Sequence, residues 1–275
     1  MMKNSKRFVM TVLILVAVIV YLFVTAPPPL EDKRLSGVQL PIEFVLRLAN
    51  EENKIARRLY TKDILQEGKK RGIKFDEDWQ EKGVIAGLLP AQFLRETASY
   101  LEKSPVRLGL YLGSEFPINR TNLLEGLQVT KLKDIKKSDG DTFFNIPAEK
   151  TYVFMSPDIA TVNSCVTCHN KHPESPKTDW KINDVMGATT WLYPYEKISL
   201  KDTLLLLSEL RRGFGFSYQY FLDEVKQMPK PYSIGSKWPR EGYFVPSKDE
   251  FINELSKRAS NSTLNKLLHS LSQKK

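Results

Sequence analysis

The sequence predicts an α+β protein, and three observations support this class. Apolar residues recur at helical spacing from Pro41 to about Gly68. The middle third of the chain instead contains short segments rich in β-branched and aromatic residues, which favour strands. From Tyr195 to Lys275 the pattern is again helical. We therefore expect a small antiparallel sheet with helices packed on it.

The amino-terminal segment predicts a membrane anchor. A positively charged end, Met1 to Arg7, precedes an apolar run, Phe8 to Thr25. At a rise of about 1.5 Å per residue, a helix of this length spans most of a roughly 30 Å hydrocarbon core. A cleavable signal peptide is the alternative, because Val24-Thr25-Ala26 resembles a cleavage site. The charge bias places the amino end inside the cytoplasm and the bulk of the chain outside. In a bacterium, this predicts a single-pass inner-membrane protein with its bulk in the periplasm.

The elements between the anchor and the carboxyl terminus follow from local patterns. Pro27-Pro28-Pro29 predicts a stiff extended linker. Pro90 suits the first turn of a second helix that continues from Ala91 to Leu101. The predicted strands are Val106–Leu112, Thr142–Phe144, Tyr152–Met155 and Thr189–Tyr193, with a short helix at Asn122–Ile135. A helix led by Leu200 and a final helix, which begins after a capping box at Ser247–Glu250 and runs to about Leu271, complete the chain.

Both cysteines of the protein lie in one short motif, Cys165-Val166-Thr167-Cys168-His169. This spacing is typical of c-type haem attachment. Two thiols on one helical turn can add to the two vinyl groups of a haem, and the next residue places an imidazole beneath the iron. The motif therefore predicts one covalent haem c per chain, with Cys165 and Cys168 as thioether residues and His169 as the proximal iron ligand.

Three other interpretations of the motif are open. A structural zinc site needs four ligands, and the only further candidates are His172 and the distant His269. A thioredoxin-like redox pair would open the helix of a βαβ unit, and no such unit follows here. An ordinary disulfide is the third. The extracytoplasmic topology favours haem, because haem is attached to such motifs on that side of the bacterial membrane.

A wider set of residues resembles a known family. Val106-Arg107-Leu108-Gly109-Leu110-Tyr111, then the haem motif continued to Pro173, then Asp184-Val185-Met186-Gly187-Ala188, are similar to the Tll0287-like haem-binding domain. The resemblance covers roughly Pro41 to Pro194, and it implies a PAS-like fold with one haem c. Elsewhere, such domains often serve as the input half of membrane receptors, a pattern from which this chain departs. The segments are then an anchor at 1–26, a linker at 27–40, the haem domain at 41–194 and a helical extension at 195–275.

Several side chains around the motif have two interpretations. Trp180 and Met186 either wall the haem or belong to the ordinary core. Lys171 and Lys177 either pair with haem propionates or are solvated. His172 cannot easily reach the opposite face of the haem, so a supporting role or simple exposure is expected. His269 is expected to be an exposed residue rather than an iron ligand. The aromatic cluster Tyr218-Gln219-Tyr220-Phe221-Leu222 is expected to be a packed helix face rather than a lid over the haem.

Two functional classes follow. The chain is either a redox-sensing or small-ligand-sensing module that acts through a membrane or periplasmic protein partner, or a membrane-tethered cytochrome c that carries electrons. Met1 to Arg7 is too short for an output domain, so a sensor would need that partner. An enzyme is disfavoured, because three histidines leave few acid-base candidates. The net charge of +9 predicts a basic surface, and the topology argues against nucleic acid. We expect a labile or vacant sixth iron site, with Met155 or Met186 as the alternative ligand.

Overall fold

The computed structural model describes residues 10, 12, 14–21, 37–138, 140–238 and 244–272, without the side chains of residues 244, 261, 262, 264 and 266–272. The chain divides into two units, Met1–Val38 and Gln39–Lys275. In the first unit, residues 10, 12 and 14–21 are helical and exposed, and the rest of the predicted anchor lies outside the described residues. No helix within the described ranges is both long enough and apolar enough to cross a membrane.

The second unit begins with a long helical segment, as the sequence predicts. Strand β1 (Gln39–Pro41) leads into helix α1 (Ile42–Arg58), a π-helix (Leu59–Gln66) and a short helix α2 (Glu67–Lys70). The apolar spacing predicts one uninterrupted helix, and the eight-residue π-helical segment is the difference. Such segments are wider than an α-helix and are frequent at functional sites.

The predicted second helix is confirmed as α3 (Pro90–Lys103). Pro90 occupies its first turn, where a missing N–H costs nothing. The side chain of Gln92 accepts a hydrogen bond from the Leu89 backbone N–H at 2.8 Å, which caps the helix from within. One surface of α3 is buried, and it includes Phe93 and Leu94.

All four predicted strands form one antiparallel sheet. Its order is β2 (Gly109–Gly113), β5 (Val185–Tyr193), β4 (Thr151–Ile159) and β3 (Thr142–Ile146). The predicted α+β class with an antiparallel sheet is therefore confirmed. Strands β2 and β5 approach closely at one point, because a Cβ atom on Gly187 would lie 2.2 Å from the carbonyl oxygen of Gly113.

The sheet is covered on both faces. Helix α1 packs on one face, where Phe154 of β4 and Trp191 of β5 are fully buried in the main core. Helix α4 (Gly126–Ser138), the predicted short helix, covers the other face. That second face includes Val153 and Met155, which alternate with the residues of the first face along β4.

Two long helices follow the sheet. They are α6 (Leu200–Gln227), which follows β6 (Lys197–Ser199), and α7 (Lys248–Ser272), which follows β7 (Ser233–Gly235) and β8 (Phe244–Pro246). The capping box at Ser247 is only half formed. Its hydroxyl accepts from the Glu250 N–H at 3.3 Å, whereas its own N–H donates to the Gly235 carbonyl at 2.8 Å.

Aromatic side chains join α6 and α7 to the rest of the unit. The Tyr218 and Phe251 rings stack at 4.2 Å, and Phe221 meets Tyr60 of the π-helix edge to face at 5.9 Å. All four rings are fully buried. The aromatic cluster of α6 is therefore a packed helix face rather than a lid.

Buried carboxylates make a second connection between the same helices. Glu52 of α1 is fully buried and accepts hydrogen bonds from Arg211 of α6, at 2.6 and 2.9 Å, and from Thr263 of α7. Asp63 of the π-helix, equally inaccessible, lies 3.1 Å from Arg258 of α7. The described residues of 195–238 and 244–272 thus share one core with the helices and sheet before them.

Candidate functional site

The cysteine motif forms a short helix of its own, α5 (Asn163–Lys171), between strands β4 and β5. A β-bulge lies immediately before it. Asp158 pairs with Gly187, but Ile159 pairs with Val185, so one residue of β5 has no partner. Bulges redirect a strand, and they are common beside active sites. This bulge ends the β4–β5 ladder where the chain leaves the sheet to form α5.

Helix α5 carries its reactive groups without burying them. None of its side chains is fully buried. Cys165 and Cys168 are free thiols, the first half-buried and the second exposed. They lie three residues apart on one turn, so both thiols face a similar direction. The helix therefore presents two thiols that a single planar group can reach.

The two nitrogens of His169 differ in their surroundings. Nδ1 is buried and has no hydrogen-bond partner. Nε2 is not among the buried atoms that lack a partner, and His169 as a whole is half-buried. Nε2 is therefore the nitrogen left to bind a metal ion.

Burial and neighbouring charges keep these groups uncharged. Burial raises the pKa of the Cys165 thiol, and the Asp158 carboxylate adds to this effect. Burial raises the pKa of Cys168 as well, and the Glu77 carboxylate contributes. Burial lowers the pKa of His169, which Asp158 partly offsets. A neutral imidazole is the form that binds a metal.

Helix α1 reaches the motif through Arg57. The guanidinium lies 3.0 Å from Asp158 of β4 and donates to Thr189 of β5 at 3.3 Å. Both Arg57 and Asp158 lie near enough to influence the Cys165 thiol electrostatically. The sequence did not indicate either residue, since they are more than a hundred positions apart and carry no motif.

Asn170, the residue after His169, holds the following loop against α5. Its amide nitrogen donates to the Trp180 carbonyl, and its amide oxygen accepts from the Trp180 N–H, both at 2.9 Å. We call this pair of bonds the Asn170 clasp. It brings the Trp180 backbone next to the motif. The indole is 4% exposed, and its Nε1 is buried without a hydrogen-bond partner.

His172 anchors the other side of the helix end. Its Nε2 lies 3.0 and 3.1 Å from the two carboxylate oxygens of Glu77, and its Nδ1 accepts from the Glu174 N–H. This agrees with the supporting role expected for His172. The sequence did not indicate that Glu77 contacts His172, because the two residues are 95 positions apart.

The remaining candidate side chains lie in different surroundings. Met155 is fully buried on the sheet face that α4 covers, so it is a core residue. Met186 is half-buried at the bulge, where its carbonyl accepts from Ser114, the residue after β2, at 2.5 Å. Lys177 forms an ion pair with Asp179. The described structure shows no partner of Lys171, and the side chain of His269 lies outside the described residues.

The structure bears on each of the other interpretations of the cysteine motif. A thioredoxin-like arrangement is excluded, because β4 and β5 are antiparallel neighbours and α5 is not the helix of a βαβ unit. The two thiols do not form a disulfide. In the described part of the chain, no group of three or more His, Cys, Asp or Glu side chains could hold a metal ion.

A cavity of about 850 Å³ lies away from the motif, between α6 and α7. Its wall is largely apolar, with Arg211, Arg212 and Lys248 among its polar residues. No residue of α5 lines it. The chemistry of the thiols and imidazole, rather than cavity size, therefore marks the candidate site.

Comparison with known families decides the class of this chain. Its residues 45–194 match the Tll0287-like family. The chain belongs to the Tll0287-like family. Membership indicates a haem-binding domain, and the matched range includes the sheet, α5 and the Asn170 clasp. No curated protein and no solved structure matches the chain.

The residues of this Tll0287-like domain fit a haem. A haem supplies four nitrogen ligands with its iron, so the protein needs to add only one imidazole on the proximal side. His169 offers that imidazole, with Cys168 one residue away and Cys165 one turn away. Trp180 adds a buried N–H that lacks an acceptor, a costly state that a bound polar group would relieve.

Proposed function

We propose that the protein is a membrane-anchored, extracytoplasmic c-type haem protein with one covalent haem. Cys165 and Cys168 form thioether bonds to the vinyl groups, and His169 is the proximal ligand. One observation carries the proposal: two free thiols and a half-buried imidazole occupy a single helix, none of whose side chains is fully buried. When bound, the haem supplies redox chemistry and a coordination site for small molecules.

The domain would act as a PAS-like sensor of redox state or of a small ligand such as a gas. Arg57 supports this role, because it joins helix α1 directly to Asp158 and Thr189 beside the motif. A bound haem would place a charge that changes on oxidation near this ion pair, and α1, which carries Arg57, is the first long helix after the linker. The Phe8–Thr25 anchor would hold the domain at the bacterial inner membrane, where a membrane or periplasmic partner receives the signal.

A membrane-tethered electron carrier is the second candidate. It is favoured by the exposure of Cys168, because a thioether at this position would leave a haem edge near the surface. Electron transfer also benefits from a strong sixth ligand that keeps the iron from reorganising. Among the described methionines, Met186 is the candidate near the motif, since Met155 belongs to the core.

Haem staining after denaturing electrophoresis tests the proposal. Wild-type chain made with a haem-ligation system should show peroxidase activity at 31.6 kDa. Cys165→Ala with Cys168→Ala should lose the stain completely, while Met186→Ala should keep it. An unstained wild-type band contradicts covalent attachment.

Carbon monoxide separates the two candidates on the same preparation. A sensor with a labile sixth site should bind carbon monoxide rapidly when reduced, and Met186→Ala should bind it equally fast. An iron that resists carbon monoxide until Met186 is removed assigns the protein to electron transfer instead.

A further inference from the structure

The indole of Trp180 contains a hydrogen-bond donor that the protein itself does not use. Its Nε1 is buried and has no partner, and the side chain is 4% exposed. An unpaired buried N–H is costly, so folded proteins nearly always supply an acceptor from protein, water or ligand.

Three contacts define the surroundings of Trp180. The Asn170 clasp ties its backbone to the end of α5. The Lys177 ammonium lies 4.7 Å from the centre of the indole ring and also pairs with the Asp179 carboxylate. Phe116 packs edge to face against the same ring at 6.3 Å. The indole and the Lys177–Asp179 ion pair thus lie together beyond the end of α5.

We propose that the Trp180 indole N–H and the Lys177 ammonium bind a haem propionate. A haem ring has two propionate carboxylates, and they are its hydrogen-bond acceptors at the ring edge. A carboxylate satisfies an N–H donor and an ammonium at once, and such charge-assisted bonds are strong. Protein atoms cover the N–H, so the Trp180 and Lys177 side chains adjust as the carboxylate arrives, while the clasp holds the backbone.

This inference rests on the proposed haem function and gives Trp180 a specific role in it. A hydrogen bond to the ionised form of a carboxyl group lowers its pKa. Oxidised iron carries one more positive charge than reduced iron, so it lowers the same pKa further. The midpoint potential of the haem therefore falls as the pH rises through the propionate pKa range.

The test is the midpoint potential of the haem-loaded full chain measured against pH. Trp180→Phe keeps an aromatic ring and removes the donor. The pH range over which the midpoint potential falls should therefore shift to higher pH by about one unit. Lys177→Gln, at a half-buried loop position, should shift this range in the same direction by less. Phe116→Leu is the matched control, because it loosens the packing on Trp180 without removing a donor, and its profile should stay in place.

Three results overturn the proposal. The first is a Trp180→Phe profile that coincides with wild type, and the second is a Phe116→Leu profile that moves as far as that of Trp180→Phe. The third is a potential offset that is equal at every pH, which reports a change in polarity alone. If Trp180→Phe does not yield folded protein, Asn170→Ala opens the clasp instead, and an unchanged profile then contradicts the proposal.

Failure of the proposed function gives a different result. A wild-type chain without haem stain contradicts both ideas before any potential is measured. A stained chain with wild-type pH dependence in Trp180→Phe contradicts the propionate contact alone.

Discussion

The helical core and the motif helix are stabilised in different ways. The core around α6 and α7 contains stacked aromatic rings and buried carboxylates paired with arginine. Helix α5 buries no side chain completely, and discrete polar bonds at Asn170 and His172 hold its end. Burial thus makes a scaffold, whereas a few directional bonds position the reactive groups. A helix that binds a large apolar cofactor must leave its own surface available for it.

The largest expected effect lies in the core. Phe251→Ala removes a fully buried ring that stacks on Tyr218, so the free energy of unfolding should fall by about 3–5 kcal/mol. Leu205→Ala is the control on the same packed pair of helices, because Leu205 is 40% exposed, and it should cost less than about 1 kcal/mol. Chemical denaturation followed by circular dichroism measures both. Equal losses would mean that the aromatic stack does not carry the stability of this region.

A smaller and local effect is expected at the motif helix. Asn170→Ala removes the two bonds of the clasp, at about 1 kcal/mol each. Hydrogen exchange of the backbone amides in residues 172–184 should become about thirtyfold faster, because that region opens without global unfolding. Amides of α6 should exchange as in wild type.

Asn145→Ala is the matched control for the clasp, since Asn145 is exposed on β3. It should leave exchange unchanged in residues 172–184. Faster exchange in α6 of Asn170→Ala would show that the loop and the core open together, which contradicts the distinction between them.

The smallest effect concerns alkaline pH in the core. Burial raises the pKa of Tyr60 and Tyr218 well above the ordinary value of 10.0, and their hydroxyls donate to the Leu88 and Pro246 carbonyls at 2.8 Å. Each tyrosine stays neutral when folded but ionises above about pH 10 when unfolded. Stability is therefore complete below pH 10 and declines as the pH rises above it.

Tyr218→Phe removes one of these two groups. Between pH 10 and pH 11 the free energy of unfolding of this variant should fall by about 1 kcal/mol less than that of wild type. Denaturation at each pH measures this slope. An identical slope in the two proteins would mean that Tyr218 ionises within the folded core, and hence that the core admits water.

Local sequence determined most of the secondary structure and the reactive groups. The spacing of Cys165, Cys168 and His169 defines their chemistry without any fold, because all three lie within five consecutive residues. Helices such as α3 and strands such as β4 follow from apolar period and from Pro90, since these signals act over a few positions.

Only the tertiary structure decided what surrounds those groups. The Arg57–Asp158 and His172–Glu77 contacts join residues about a hundred positions apart, and no periodicity encodes such pairs. The π-helix after Arg58 was also unforeseen, because its apolar spacing resembles that of an α-helix. The role of Met155 was ambiguous for a different reason. The sequence does not show which side of the sheet a strand side chain faces, and the packing of α4 decides this. Local motifs and secondary structure depend on neighbouring residues, whereas long-range contacts form only when the chain has packed.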